Sequence, residues 1–253
     1  LAYIINHADD EVIFFDSTFA PLVKAIAPHC SKVKHWICFS DQPNTPSIEG
    51  IDVKNYEDLI TAHKHVFNWP DVDEKSGAAL CYTSGTTGLP KGVMLTNEGM
   101  FHTQKLGLSW GMGPQSVNLV AMPMFHIGGC GYGSSTMTQG GHTVLLREVN
   151  PALIVQSITR YRVTHTFLVP TVVQSLLAVP EIDQADLSSL ELLMYGAAPM
   201  GDVLLRRAMD RLRCRFIQAY GMTETAGTVA VLPPEDHEPE GPRSLLLNSV
   251  GRA

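Results

Sequence analysis

LELLMYGAAPMGDVLLRRAMDRLRCRFIQAYGM, residues 190–222, is the stretch on which the fold turns. An apolar run at 190–195 and another at 215–219 flank the segment 201–212, where Leu204, Leu205, Ala208, Met209 and Leu212 share one helical face. Arg206, Arg207, Asp210, Arg211 and Arg213 lie largely on the other faces. A buried strand, an amphipathic helix and a second buried strand joined by short loops predict a strand–helix–strand unit of parallel sheet. Working outward, the same alternation recurs. Strand-like runs rich in Val, Ile, Leu and Phe lie at 12–15, 33–39, 78–83, 117–121, 143–146 and 165–169. Amphipathic stretches separate them at 18–26, 56–65, 97–109, 151–161 and 171–178. The expected fold class is α/β, with layered, mostly parallel sheets flanked by helices.

Composition narrows the function classes. The 253 residues suit one large domain or two small ones. With 45% hydrophobic and 17% charged residues the chain is ordinary globular material. Its net charge of −7 argues against a nucleic-acid partner or an anionic membrane surface. Cys30, Cys38, Cys81, Cys130 and Cys214 are odd in number and form no CxxC pair, so neither a disulfide framework nor a zinc ribbon is indicated. A reducing, cytoplasmic location is expected. The longest apolar stretch, 167–180, is interrupted by Pro170, Thr171, Gln174 and Ser175 and falls short of the roughly 20 residues of a membrane span. No signal peptide is expected. The opening at Leu1 and the ending at Ala253 suggest a piece of something longer. Linkers are expected at 41–50 and at the acidic, Pro-rich 233–242, which reads as a solvated surface loop.

Ligands of parallel sheets bind beyond the carboxyl ends of the strands, so the loops there are where chemistry is sought. The first follows the run at 78–82 and reads Thr83, Ser84, Gly85, Thr86, Thr87, Gly88, Leu89, Pro90, Lys91, Gly92. Glycines let backbone N–H groups converge, hydroxyls donate to phosphate oxygens and lysine supplies charge, which makes this a phosphate-binding candidate. It is not a Walker A loop, because Lys91 stands between Pro90 and Gly92 and leads into a probable strand at 93–95. The second loop, 123–131, carries His126 ahead of Gly128, Gly129, Gly131 and Gly133 on a helical segment. An isolated histidine is more often held by backbone groups than used in catalysis, yet glycines that weaken a helix by about 1 kcal/mol each leave volume beside it. The third, Gly196, Ala197, Ala198 and Pro199, offers small side chains and bare backbone for a flat ring. The fourth, Tyr220, Gly221, Met222, Thr223, Glu224 and Thr225, offers an aromatic plate, a hydroxyl and a carboxylate suited to magnesium. It could equally be a strand-end turn with a helix cap at Thr223.

YTSGTTGLPKG (82–92), PMFH (123–126), YGAAP (195–199), QAYGMTETAG (218–227) and VGRA (250–253), in this order, resemble the core motifs of the adenylate-forming superfamily. Acyl-CoA synthetases, adenylation domains of nonribosomal peptide synthetases and firefly luciferase belong to it. The resemblance covers nearly the whole chain and implies that residues 1–253 are part of the large N-terminal ATP- and acyl-binding domain. It also implies that the sheet is incomplete at both ends and the small C-terminal domain is absent. The implied reaction joins a carboxylic acid to the α-phosphorus of ATP, releases pyrophosphate, and then transfers the acyl group to a thiol. Thr83, Ser84, Gly85, Thr86, Thr87, Gly88 and Lys91 would cradle the β- and γ-phosphates. Gly196, Ala197, Ala198 and Pro199 would line the adenine with Tyr220 and Gly221. Thr223 would contact the α-phosphate, Glu224 would hold Mg2+, and His126 would stand where the acyl pocket meets the thiol tunnel, beside Gly128 and Gly129. Amino-acid-activating relatives commonly carry an aspartate near the aromatic of the second motif, to pair with a buried ammonium group. Met124-Phe125-His126-Ile127-Gly128 has none. A fatty or aryl acid without an α-amine is therefore expected, with coenzyme A as acceptor. Val169, Pro170 and Thr171 join Gly221 as candidate pocket walls, and a homodimer is a possible state of the full-length protein. The competing readings are a catalytically silent nucleotide- or acyl-binding domain on the same scaffold, an amino-acid-activating domain, and a P-loop phosphotransferase, which the Pro90-Lys91-Gly92 order disfavours.

Overall fold

The computed structural model describes residues 1–40, 45–63, 66–84 and 88–253. The chain divides into two compact units, one of residues 1–73 and 80–93, the other of residues 74–79 and 94–253.

In the first unit α1 (Ala2–Ala8), β1 (Val12–Asp16), α2 (Ala20–Ile26), β2 (His35–Phe39), β3 (Val53–Asn55) and α3 (Tyr56–Thr61) follow one another. The three strands form a parallel sheet with β2 in the middle, Phe14 opposite Ile37 and Ile37 opposite Lys54. Ile5, Phe15, Val23, Trp36, Cys38 and Ile48 close its core. The helix α3 starts where the Asn55 side chain accepts from the amides of Glu57 and Asp58 at 2.8 and 3.2 Å. The sequence does not announce β3, because three half-buried residues are too few to show a period. Next, β4 (Gly77–Thr83) and β5 (Lys91–Thr96) pair as a two-stranded ribbon, and the division between the units falls within both strands.

The second unit continues with α4 (Asn97–Ser109), β6 (Val117–Val120), α5 (Ile127–Thr138), β7 (His142–Leu145), α6 (Pro151–Tyr161), β8 (His165–Leu168) and α7 (Pro170–Leu176). It ends with β9 (Leu192–Gly196), α8 (Asp202–Leu212), β10 (Arg215–Met222) and β11 (Gly227–Leu232). The six strands lie in the order β11-β10-β9-β8-β6-β7, parallel throughout except for the antiparallel β10–β11 pair. From β6 the chain steps outward to β7 and then returns to the other flank of β6 for β8, β9 and β10. Strand order thus reverses between β6 and β8, and such a switch point opens a crevice at the carboxyl ends.

Alternation along the strands feeds two cores. Leu193, Phe216 and Leu119 pack with Ile154, Ile158 and Leu205 on the side of α6 and α8. Leu192, Met194 and Ile217 pack with Trp110, Tyr132 and Phe167 on the side of α4 and α5. Each such aliphatic side chain removed from water contributes about 1.5–3 kcal/mol. Helix ends follow local chemistry: the Asn150 side chain accepts from the Leu153 amide at 3.1 Å ahead of Pro151, and α6 and α8 end in left-handed residues, Arg162 and Arg213.

Further features of this unit depart from the sequence reading. The strand β10 runs on past 219, and β11 was not foreseen, because a bulge at Tyr220/Gly221 breaks the alternation just where the loop motif begins. The acidic segment at 233–242 is more than a solvated loop. Asp236 and His237 are buried, with Asp236 held by Arg243 at 2.8 Å and by Arg252 at 3.4 Å.

Candidate functional site

The loop leaving β6 ends at His126, whose Nδ1 accepts from the Gly128 amide at 3.2 Å and so caps the start of α5. That bond leaves Nε2 as the protonated nitrogen of the neutral ring. Beside it lies a cleft, partly open to solvent, over the carboxyl ends of β8, β9 and β10. His126, Ile127 and Gly128 form one side of its mouth; Ala197, Gly221 and Met222 form the other. Its inner wall is buried and apolar, made by Trp110, Tyr132, Phe167 and Met194. The Tyr132 ring sits between those of Trp110 and Phe167, with ring centres 5.7 Å from each.

The glycines of α5 divide by role. A Cβ on Gly129 would stand 2.1 Å from the Pro123 carbonyl oxygen, and one on Gly133 would stand 3.0 Å from Val120 Cγ2. These two let the helix lie against the strand it follows, and Gly129 is buried away from the cleft. Gly128 and Gly131 line the cleft itself. Part of the volume that the glycines free is therefore taken up by packing, and part stays open. Gly221 is fixed by backbone approach, since a Cβ there would meet the Gly227 carbonyl oxygen at 2.0 Å across the β10–β11 bulge. The rim is tied to α4 by the Thr103 hydroxyl, 3.0 Å from the Ala226 carbonyl oxygen.

The structure thus brings His126, Gly128, Ala197 and Gly221 onto one cleft. Gly196 ends β9 against β10, and Ala198 and Pro199 are exposed on the loop that follows. Tyr220, Thr223 and Glu224 lie along the same strand end outside the cleft lining, Thr223 half-buried and Glu224 exposed. Thr223 opens a single helical turn whose N-cap is Met222 rather than Thr223, and the Thr225 hydroxyl reaches back to the Met222 backbone, accepting from its amide at 3.3 Å and donating to its carbonyl at 3.0 Å. Val169, Pro170 and Thr171 do not line the cleft. In the first unit Thr83 ends β4 half-buried, Ser84 is exposed, Gly88 has φ +153° and Lys91 opens β5 as an exposed residue. Gly85, Thr86 and Thr87 lie outside the described residues. Glu224 makes no salt bridge among the described residues, and a lone exposed carboxylate beside a hydroxyl suits a hydrated Mg2+ that keeps most of its waters. The arginine face of α8 is engaged locally, with Arg206 on Asp202 at 2.8 Å and Arg211 on Asp183 at 3.0 Å.

Trp110, Tyr132 and Phe167 were not foreseen as site residues. Helical spacing offered one signal, because Ile127, Gly128, Gly131 and Tyr132 recur four apart from the start of α5. Trp110 and Phe167 come from distant segments and carry no such mark.

These features define an apolar cleft at the carboxyl ends of a doubly flanked parallel sheet. The family model described as AMP-binding enzyme matches residues 1–253, and the chain belongs to that family. It is 34% identical over 230 residues to a 3-methylmercaptopropionyl-CoA ligase of Ruegeria pomeroyi, covering 88% of this chain and 42% of the relative. It is 33% identical over 236 residues to a medium-chain-fatty-acid–CoA ligase of Ectopseudomonas oleovorans, with the same shares of 88% and 42%. The chain thus spans about two fifths of the length of these relatives. Among solved structures it superposes on the amide bond synthetase McbA of Marinactinospora thermotolerans with TM-score 0.78 and 27% identity, covering 99% of this chain and 46% of that one. The fold is also shared with the anthranilate CoA ligase AuaEII in complex with anthranoyl-AMP, at TM-score 0.82 and 22% identity over 92% of this chain and 45% of that one. Among the described residues no helix is long and apolar enough to cross a membrane.

Proposed function

We propose that the protein activates a carboxylic acid without an α-amine as its acyl-adenylate, releasing pyrophosphate from ATP, and passes the acyl group to coenzyme A. The observation that carries this is the seating of His126 at the mouth of an apolar cleft faced by Ala197 and Gly221, two residues of the loops expected to hold the nucleotide. An acid lying in the cleft has its carboxylate at the polar mouth and its tail on Trp110, Tyr132 and Phe167. A dry wall of this kind protects a mixed anhydride from hydrolysis.

In this reading Thr83, Ser84, Gly85, Thr86, Thr87, Gly88 and Lys91 take the β- and γ-phosphates. Gly196, Ala197, Ala198, Pro199 and Tyr220 take the adenine, Thr223 the α-phosphate and Glu224 the Mg2+. The metal supplies charge neutralisation on the triphosphate; the chain's own part is to hold the carboxylate in line and exclude water. The His126 side chain keeps the junction of tail and thiol open by its bond to α5. Coenzyme A as acceptor is supported by relatives named as CoA ligases. ATP–pyrophosphate exchange, measured on the protein at its full natural length with fatty, aryl and amino acids, tests the proposal. Exchange driven by fatty or aryl acids is expected. A preference for an amino acid, or nucleotide binding with no exchange for any acid, would overturn it in favour of an amino-acid-activating or a silent binding domain.

A further inference from the structure

The inner wall of the cleft holds one polar atom that the apolar wall does not account for. Tyr132 is only 5% exposed, and its hydroxyl has no hydrogen-bond partner among the described residues. Burial pushes the pKa of that phenol well above its usual range, so the group is an O–H donor at any working pH. A buried donor without an acceptor is rare in folded proteins and marks a place where an acceptor arrives from elsewhere. Its surroundings offer none: Trp110 and Phe167 flank the ring, with Leu192, Met194 and Ile217 in the same cluster. The nearest structural tie is through the backbone, where the Asn118 side-chain amide donates to the Tyr132 carbonyl at 3.3 Å. Tyr132 lines the cleft one helical turn beyond Gly128, where a Cβ would meet the edge of the Phe167 ring at 3.0 Å.

We propose that Tyr132 selects the substrate: the protein prefers short acids whose distal end carries a hydrogen-bond acceptor, an ether or hydroxyl oxygen, over hydrocarbon acids of the same length. This rests on the acyl-activating reading above and deepens it. An acid seated with its carboxylate at the His126 mouth brings its far atoms against the phenol, where an acceptor satisfies the orphaned donor and a methylene leaves it unsatisfied. A site built around a buried hydrogen bond rejects the analogue that lacks it far more strongly than an apolar pocket rejects one extra methylene.

The test compares ω-methoxy acids with n-alkanoates of equal length in ATP–pyrophosphate exchange, for the full-length wild-type protein and for Tyr132→Phe. The wild type is expected to favour the ether acid by about 10-fold or more in kcat/KM, and Tyr132→Phe to bring the two within about 2-fold by losing only the ether acid. Equal wild-type rates for the two series would overturn the proposal, and this comparison needs no variant. A wild-type preference that survives intact in Tyr132→Phe would overturn it as well. So would a variant of raised melting temperature and unchanged preference, the signature of a hydroxyl serving only internal packing. Failure of every acid to drive exchange in the wild type would instead defeat the activating reading itself, which keeps the two failures apart.

Discussion

Single residues decide how closely the backbone can pack around the cleft. At Gly129 a methyl group would have to occupy the space of the Pro123 carbonyl, and neither α5 nor the loop after β6 can yield without moving His126. Gly129→Ala should cost about 2–3 kcal/mol, while Gly113→Ala, where nothing lies within 4 Å, should stay within about 0.5 kcal/mol; urea denaturation of both variants checks the contrast. Two buried histidines set a pH dependence. His165 donates to the Trp110 carbonyl and accepts from the Thr164 hydroxyl, and His237 donates to the Pro233 carbonyl and accepts from the Tyr195 hydroxyl, so both are satisfied as neutral rings. Burial lowers both pKa values below the unfolded value of about 6.5. Between the folded and unfolded values the unfolded chain binds the proton and the native chain does not, so stability rises with pH across that window. Stability should therefore be full above about pH 6.5 and fall as the pH drops below it. The double variant His165→Gln/His237→Gln should flatten the slope below about pH 6.5, and an unchanged slope would refute this assignment. None of this was legible in the sequence, where both histidines look like any other.

Elements were legible in proportion to their length and regularity. The stretch 151–161 was read with the bounds that α6 takes, because Asn150, Pro151 and a sustained apolar face mark its start and course together. Removing the cap by Asn150→Ala should cost about 1 kcal/mol, with Asn150→Asp close to wild type; thermal melts would decide, and equal losses in both would mean that the side chain does not cap. The strand β11 escaped notice although Gly227–Leu232 is apolar, because its partner β10 passes through the bulge that re-aims Gly221 and Met222 into the cleft. The irregularity that hid the strand is the one that builds the rim. The inner wall escaped for a different reason: Trp110 follows α4, Tyr132 lies within α5 and Phe167 within β8, and only the sheet order brings them together.

For the molecule as a whole, alternation of strand and helix gave the layered α/β architecture, while the division into two units within β4 and β5 left no trace in composition. The first unit carries a weak point for proteases. Val66, Phe67, Trp69 and Val72 lie outside regular structure and are exposed, Trp69 by 86%. Limited chymotrypsin digestion should cut first after Phe67, since Pro70 blocks the bond after Trp69, or after the 91% exposed Phe125, read by mass spectrometry; first cuts within β8 or β9 would contradict this ranking of exposure. The return of the chain from β7 to the far flank of β6 also pairs strands that are distant in sequence. The β6–β8 pair closes across β7 and α6, and the cleft needs β9, β10 and β11 as well. Such long-range closures are slow steps for a chain. The cleft draws its lining from α5 and from β8 to β11, so a captured ligand certifies that all of them have reached their places.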